Sequence, residues 1–253
     1  MKTTKLLCQA AACSNKVNIV SATSNSKVNL MGLPLPDFSS QIMSTHRDVF
    51  GNKSYKVKQM YTMIYQHGVT SFDQMTTLTK QERATMDELY EIDYGHEVEV
   101  TKKSQIDSTI KYLLTMRDSK KIESVLMEFD GRRTMCLSSQ IGCSLNCRFC
   151  KTGTQPIERN LTSAEIVGQV MLARHELKNF PLAKCDGDNR LSHLVFMGEG
   201  EPLYNYRNVS KAIKILTDPA ACGFSKRKVT VSTSGVVNLI KKCSEELDVE
   251  LAI

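Results

Sequence analysis

The chain has 253 residues, 41% of them hydrophobic, enough for one large domain or for a medium domain joined to a small one. No apolar run approaches the ~20 residues of a membrane-spanning helix, which excludes a helical membrane protein and a membrane partner as readings. The formal net charge of +6 and a pI near 8.8 form a mild basic excess that suits an RNA partner without requiring one. Nine cysteines, an odd number without paired spacing, point to a reducing compartment and so to a cytoplasmic protein.

Residues 1–36 hold no Asp or Glu but carry Lys2, Lys5, Lys16 and Lys27 among several Ser and Thr. Such a leader reads either as a transit peptide, for a mitochondrion or another organelle, or as a disordered tail. Gly32-Leu33-Pro34-Leu35-Pro36 marks the boundary to a small helical accessory domain, residues 37–104. Ser54 is expected to cap a helix over 54–67 with Val57, Met60, Tyr61 and Ile64 on one face. Thr79 and Glu82 form a capping box for a helix reaching about Ile92. Charged residues dominate 97–103, and a second domain, the core, is expected over 105–253. There, 109–116 and 122–129 are β-like runs joined by a turn at Asp118-Ser119, and 133–138 is a third.

The run Cys143-Ser144-Leu145-Asn146-Cys147-Arg148-Phe149-Cys150 follows. Three thiols in eight residues can hold one metal centre from a single loop. Structural zinc sites are closed by four ligands and usually use two CxxC pairs. Here Cys147 and Cys150 are the only such pair, and His175 and His193 do not complete a zinc pattern. An ordinary iron–sulfur cluster takes four cysteines, so three leave one position open for chemistry. The spacing favours iron–sulfur, with zinc as the alternative.

Beyond this loop, Thr162 and Glu165 form a second capping box, before a helix that buries Ile166, Val167, Val170 and Met171. The apolar run 194–197 reads as a buried parallel strand, 210–216 as a helix, 229–231 as a strand, 237–247 as a helix and 249–253 as a strand. The alternation predicts an α/β body with a parallel sheet. In such sheets chemistry gathers at the carboxyl ends of the strands. The cysteine loop, Gly198-Glu199-Gly200-Glu201-Pro202 and Ser232-Thr233-Ser234-Gly235 each follow a strand and are expected to meet on one rim.

The string Arg133-Thr134-Met135-Cys136-Leu137-Ser138-Ser139-Gln140-Ile141-Gly142-Cys143, with the three-cysteine spacing after it, resembles the radical S-adenosylmethionine (SAM) adenine-carbon-2 methyltransferases of RNA, the RlmN/Cfr family. Lys151-Thr152-Gly153-Thr154-Gln155, Arg159-Asn160-Leu161-Thr162 and the segments 195–203 and 225–237 continue the match in order. The resemblance implies a partial (β/α) radical-SAM barrel, preceded by an RNA-contacting helical domain and a β-hairpin. It implies that Cys143, Cys147 and Cys150 hold a 4Fe-4S cluster whose open iron takes the amino and carboxyl groups of SAM. Gly200 and Glu201 would line the methionine end, with close backbone approach where residue 200 has no side chain. Ser232 would also contact SAM, Glu123 would accept a proton, and Cys136 would resolve a covalent protein–RNA adduct.

The implied substrate is adenine in ribosomal RNA, with transfer RNA a further candidate, and the implied electron donor is a flavodoxin or ferredoxin. Adenine carbon 2 offers no lone pair for simple alkylation, so the family uses a radical route through a methylated cysteine. Blander readings stand beside these. Cys136 alone is a small buried hydrophobe, Glu123 a solvated strand residue, and Glu199, where the family commonly has methionine, an exposed rim residue. Lys226, Arg227 and Lys228 form either a solvated loop or an RNA phosphate contact. Cys8, Cys13, Cys185, Cys222 and Cys243 receive no role.

The family continues past Glu250-Leu251-Ala252-Ile253 with a SAM-contacting stretch, two more strands and the methyl-carrying cysteine, whereas no cysteine here follows Cys243. The expectation is a C-terminally incomplete chain that binds a cluster and part of SAM and is inactive alone. The alternatives are methylation at adenine carbon 8 and a non-catalytic, metal-containing RNA-binding fragment.

Overall fold

A computed structural model describes residues 27–51, 53–185 and 189–253. The transit-peptide and disordered-tail readings fall mostly on 1–26, outside the described residues.

The chain enters through β1 (Val28–Asn29), α1 (Leu35–Thr45), α2 (Arg47–Phe50), α3 (Ser54–His67), α4 (Lys80–Leu89) and β2 (Tyr90–Glu91). Helix α3 buries the predicted Val57, Met60, Tyr61 and Ile64. Its cap position is Lys53 rather than Ser54, and no side chain closes it. The Thr79–Glu82 capping box is present, both residues bonding the other's backbone. Helix α4 stops at Leu89 instead of running to Ile92, because Tyr90 turns extended and pairs in parallel with Val28. Leu30 and Met31 are buried as well, so the folded module begins before residue 37. It docks onto the rest of the chain through Gly32, whose amide donates to the Tyr65 hydroxyl and whose carbonyl accepts from Ser163 Oγ at 2.7 Å.

The remainder is built on β3 (His96–Lys103), β4 (Ile110–Met116), β5 (Lys121–Phe129), β6 (Arg132–Cys136), β7 (Gln140–Ile141), β8 (Arg159–Asn160), α5 (Ser163–Glu176), β9 (Leu191–Phe196), α6 (Tyr206–Thr217), β10 (Val229–Ser232), α7 (Val237–Leu247) and β11 (Glu250–Ala252). Seven strands form one sheet in the order β11-β10-β9-β6-β5-β4-β3. It is parallel from β6 to β11 and antiparallel from β3 to β6. The charged stretch near 97–103 is thus an edge strand. It pairs with β4 on both sides of a bulge and is solvent-exposed almost throughout. Charges on such an edge discourage pairing with another chain. Residues 96–103 therefore belong to the sheet body and not to the helical module.

From β6 the chain steps through β9, β10 and β11 in one direction. Right-handed crossovers then put α5, α6 and α7 on the same face. Leu194, Phe196, Val229 and Val231 are buried under them, with Ile166, Val167, Val170 and Met171 of α5. The intervening Cys136, Val195, Thr230 and Ser232 are only partly buried on the opposite face. Burial of 194–197 on both faces is therefore not what forms, and Met197 is 49% exposed. A sheet wound one way with its helices outside is an arc of a (β/α) barrel. No helix among the described residues is long and apolar enough to cross a membrane.

Candidate active site

Strand β6 ends at Cys136, and the chain leaves the sheet at Ser138. Gln169, buried in the middle of α5, meets it there. Its Oε1 accepts the Ser138 amide at 2.9 Å and its Nε2 donates to the Ser138 carbonyl at 3.1 Å. Ser138 Oγ donates to the Glu123 carbonyl at 2.6 Å and accepts the Glu199 amide at 2.9 Å. The amides of Ser139 and Gln140 then donate to the Glu199 carbonyl. Gln140 Oε1 accepts the Glu201 amide at 2.8 Å. The Glu201 carboxylate in turn accepts the amides of Leu203 and Ser234, at 3.0 and 2.9 Å. The three loops expected on one rim are thus stitched together by hydrogen bonds.

The cysteine loop is closed at its base by the β7–β8 ladder and by the Cys143 amide, which donates to the Gln155 carbonyl at 3.2 Å. Gly142 makes the turn into it with φ +73°, and a Cβ there would lie 2.1 Å from the Pro156 carbonyl oxygen. Arg159 braces the far side. Its Nε donates to Asp118 at 2.6 Å, and Nη1 and Nη2 clamp Glu165 at 2.9 and 2.8 Å.

Cys143, Cys147 and Cys150 are free, partly exposed thiols on this loop, and Phe149 beside them is 94% exposed. They fit an iron–sulfur cluster by donor chemistry and by sharing one braced loop. They are not already drawn to one point. Among the described residues no three His, Cys, Asp or Glu side chains are arranged to hold a metal ion.

Gly200 has φ +92°, and a Cβ there would sit 2.4 Å from Gln140 Cβ. The space its missing side chain leaves is occupied by Gln140. Glu201 is buried, and its carboxylate is spent on Leu203 and Ser234, so this side chain shapes the rim from within. Ser232 lies at the end of β10 on the helix-free face, beside the Thr233 turn.

Cys136 faces the same side as Val125, its pair on β5, and hence as Glu123 two residues away. Burial pushes its thiol up from the ordinary range. Glu123 is about half exposed, and its carboxylate is paired with Lys111 at 2.7 Å. Glu199 is the surprise. Read as exposed, it is 8% exposed, and its Oε1 accepts the Glu123 amide at 3.1 Å. Burial, with the nearby Glu123 charge, raises its carboxyl to about 7. Gln140, Gln169 and Glu199 carry the site's internal wiring, and the sequence assigns them no such part because Glu201, Ser138 and Glu123, which they join, are distant from them in the chain. Cys243 is buried in α7.

A one-way wound sheet with a braced three-cysteine loop at its carboxyl rim defines a radical SAM type of fold. The comparisons agree. The chain superposes on a crystal structure of a radical SAM methyltransferase from Sphaerobacter thermophilus with a TM-score of 0.77 and 31% identity, covering 88% of this chain and 62% of that one. Residues 28–92 match the family described as the ribosomal RNA large subunit methyltransferase N-terminal domain. The dual-specificity RNA methyltransferase RlmN of Rhodospirillum rubrum is 44% identical over 226 residues, 89% of this chain and 51% of that protein. The RlmN of Ruegeria sp. (strain TM1040) is 43% identical over 90% of this chain and 57% of its own length. The chain spans about half the length of the curated relatives it matches. Over that span it belongs to the RlmN family of radical SAM methyltransferases.

Proposed function

We propose that this chain forms the cluster- and SAM-binding part of an enzyme that methylates carbon 2 of adenine in ribosomal RNA and in transfer RNA. What carries the reading is Cys136 on the open sheet face, seven residues before Cys143, with the cysteine loop and the two other rim loops joined around it. Cys143, Cys147 and Cys150 would hold the cluster, and the Gly200–Glu201 and Ser232 segments would flank SAM. When bound, the cluster and SAM would supply the carbon-centred radical chemistry that adenine carbon 2 requires. Cys136 keeps its proton near neutral pH, because its burial disfavours the thiolate. Glu123, paired with Lys111 on the same face, is the candidate proton acceptor. Cys243, buried in α7, does not fit the methyl-carrying role. Electrons would come from a flavodoxin or ferredoxin.

The test is anaerobic iron reconstitution of the chain, with electron paramagnetic resonance of the reduced protein before and after SAM. A cluster signal that changes on adding SAM supports the reading. Zinc in place of iron, or a cluster indifferent to SAM, sinks it in favour of a metal-containing RNA-binding fragment. Methylated adenosine produced by this chain alone would overturn the expected inactivity, and mass spectrometry of that base would separate carbon 2 from carbon 8.

A further inference from the structure

A second polar recess lies at the opposite end of the parallel strands, where β9 and β10 begin. It encloses about 210 Å³ and is lined by Arg174, Arg190, Ser192, Phe224, Ser225 and Lys228. Arg174, near the end of α5, is 2% exposed. Its Nη2 donates to the Cys222 carbonyl at 2.7 Å, and its guanidinium lies 4.6 Å from the centre of the Phe224 ring. Its Nη1 is buried and has no hydrogen-bond partner. Among the described residues no carboxylate pairs with Arg174, Arg190 or Lys228. Lys228 and Arg132 both bear on His193 nearby, so this end of the sheet is positive.

An arginine does not shed its proton, and a buried cation without a counter-charge is strongly disfavoured. Here one is held in place by a carbonyl and an aromatic face, with one end of its fork pointing at nothing and two more cations beside it. That arrangement is complementary to an anion with several oxygens, since the guanidinium fork matches phosphate two bonds at a time. The recess is smaller than the ~300 Å³ at which ordinary small-molecule pockets begin, so it takes one group and not a whole ligand.

We propose that this recess binds a phosphate group, supplied either by a free phosphate ester or by the backbone of an RNA strand lying across the base of the sheet. The site needs neither cluster nor SAM and stands independently of the function proposed above.

The full chain, without reconstitution, is titrated with inorganic phosphate at constant ionic strength while its thermal midpoint is followed. A saturable rise is expected, because a ligand that binds only the folded state stabilises it. Arg190→Gln/Lys228→Gln, at two exposed positions, should weaken this binding at least tenfold with an unchanged circular dichroism spectrum. Arg174→Lys, which keeps the charge and loses the fork, should weaken it too. A labelled oligouridylate distinguishes the sources. If phosphate competes with it and the double variant binds it less well, the site takes RNA backbone; if its affinity is unchanged, the site takes a free ester. An equal rise with chloride, or a rise unaltered in the double variant, overturns the proposal. So does phosphate binding that emerges only in Asp186→Asn/Asp188→Asn, which would assign the arginines to the chain's own carboxylates.

Discussion

The amide of Glu123 donates to the carboxylate of Glu199 at 3.1 Å, tying the hairpin strand β5 to the loop that follows β9. The bond joins a candidate proton acceptor to a buried acid whose carboxyl burial has raised to about 7. The folded chain therefore holds a proton that the unfolded chain releases near pH 4.3. Between those values the folded state binds more protons, so this group's contribution to stability is present at low pH and is lost as pH rises through about 7. Glu199→Gln keeps an acceptor for the Glu123 amide and removes the charge. Urea unfolding at pH 5 and pH 8 should show the wild type losing roughly 1–3 kcal/mol more than the variant over that interval. Parallel pH profiles would show that the carboxyl titrates normally.

Gly142→Ala places a Cβ against the Pro156 carbonyl at a backbone angle that side chains rarely adopt. The strain, about 1–3 kcal/mol, falls on the turn into the cysteine loop rather than on the core. Iron and sulfide per chain after reconstitution should drop severalfold, with the far-ultraviolet spectrum unchanged. Full cluster loading in this variant would mean that the turn relaxes without disturbing the thiols.

Cys147→Ser and Cys136→Ser separate the ligand role from the reaction role. The first should abolish the cluster absorbance. The second should leave it intact, since Cys136 sits in the sheet and outside the loop. Loss of cluster in both variants would place Cys136 among the ligands and remove it as the resolving cysteine.

In the helical module, Lys56 Nζ lies 2.5 and 2.8 Å from the two carboxylate oxygens of Glu82, with both side chains almost buried. Removing one partner strands the other. Lys56→Met should cost roughly 3–5 kcal/mol, and adding Glu82→Gln should recover much of it. Urea unfolding of the two variants is the measure, and an additive double variant would show that the pair is not coupled.

What could be read from the sequence was what local chemistry decides. The capping boxes at Thr79 and Thr162 and the helix 237–247 form as expected because each is settled within one or two turns of chain. The meeting of the three rim loops was legible from strand–loop order alone. Tyr90 was not, because it leaves α4 for a partner at Val28, far back in the chain. The edge strand His96–Lys103 read as mere charge, since an edge carries charged residues for protection. Glu199 misled because glutamate belongs on surfaces by default, and only tertiary neighbours from other strands bury it.

Gln169 stands in for a strand where the chain leaves the sheet, answering both the amide and the carbonyl of Ser138. The residue that fixes where the cysteine loop starts therefore lies behind that loop in the chain, on a helix that must first coil and dock. On the proposed reading, a cluster on that loop would be received by a scaffold that α5 helps to build, rather than build the scaffold itself. Small metal domains run the other way, since there the free energy of metal binding is the free energy of folding.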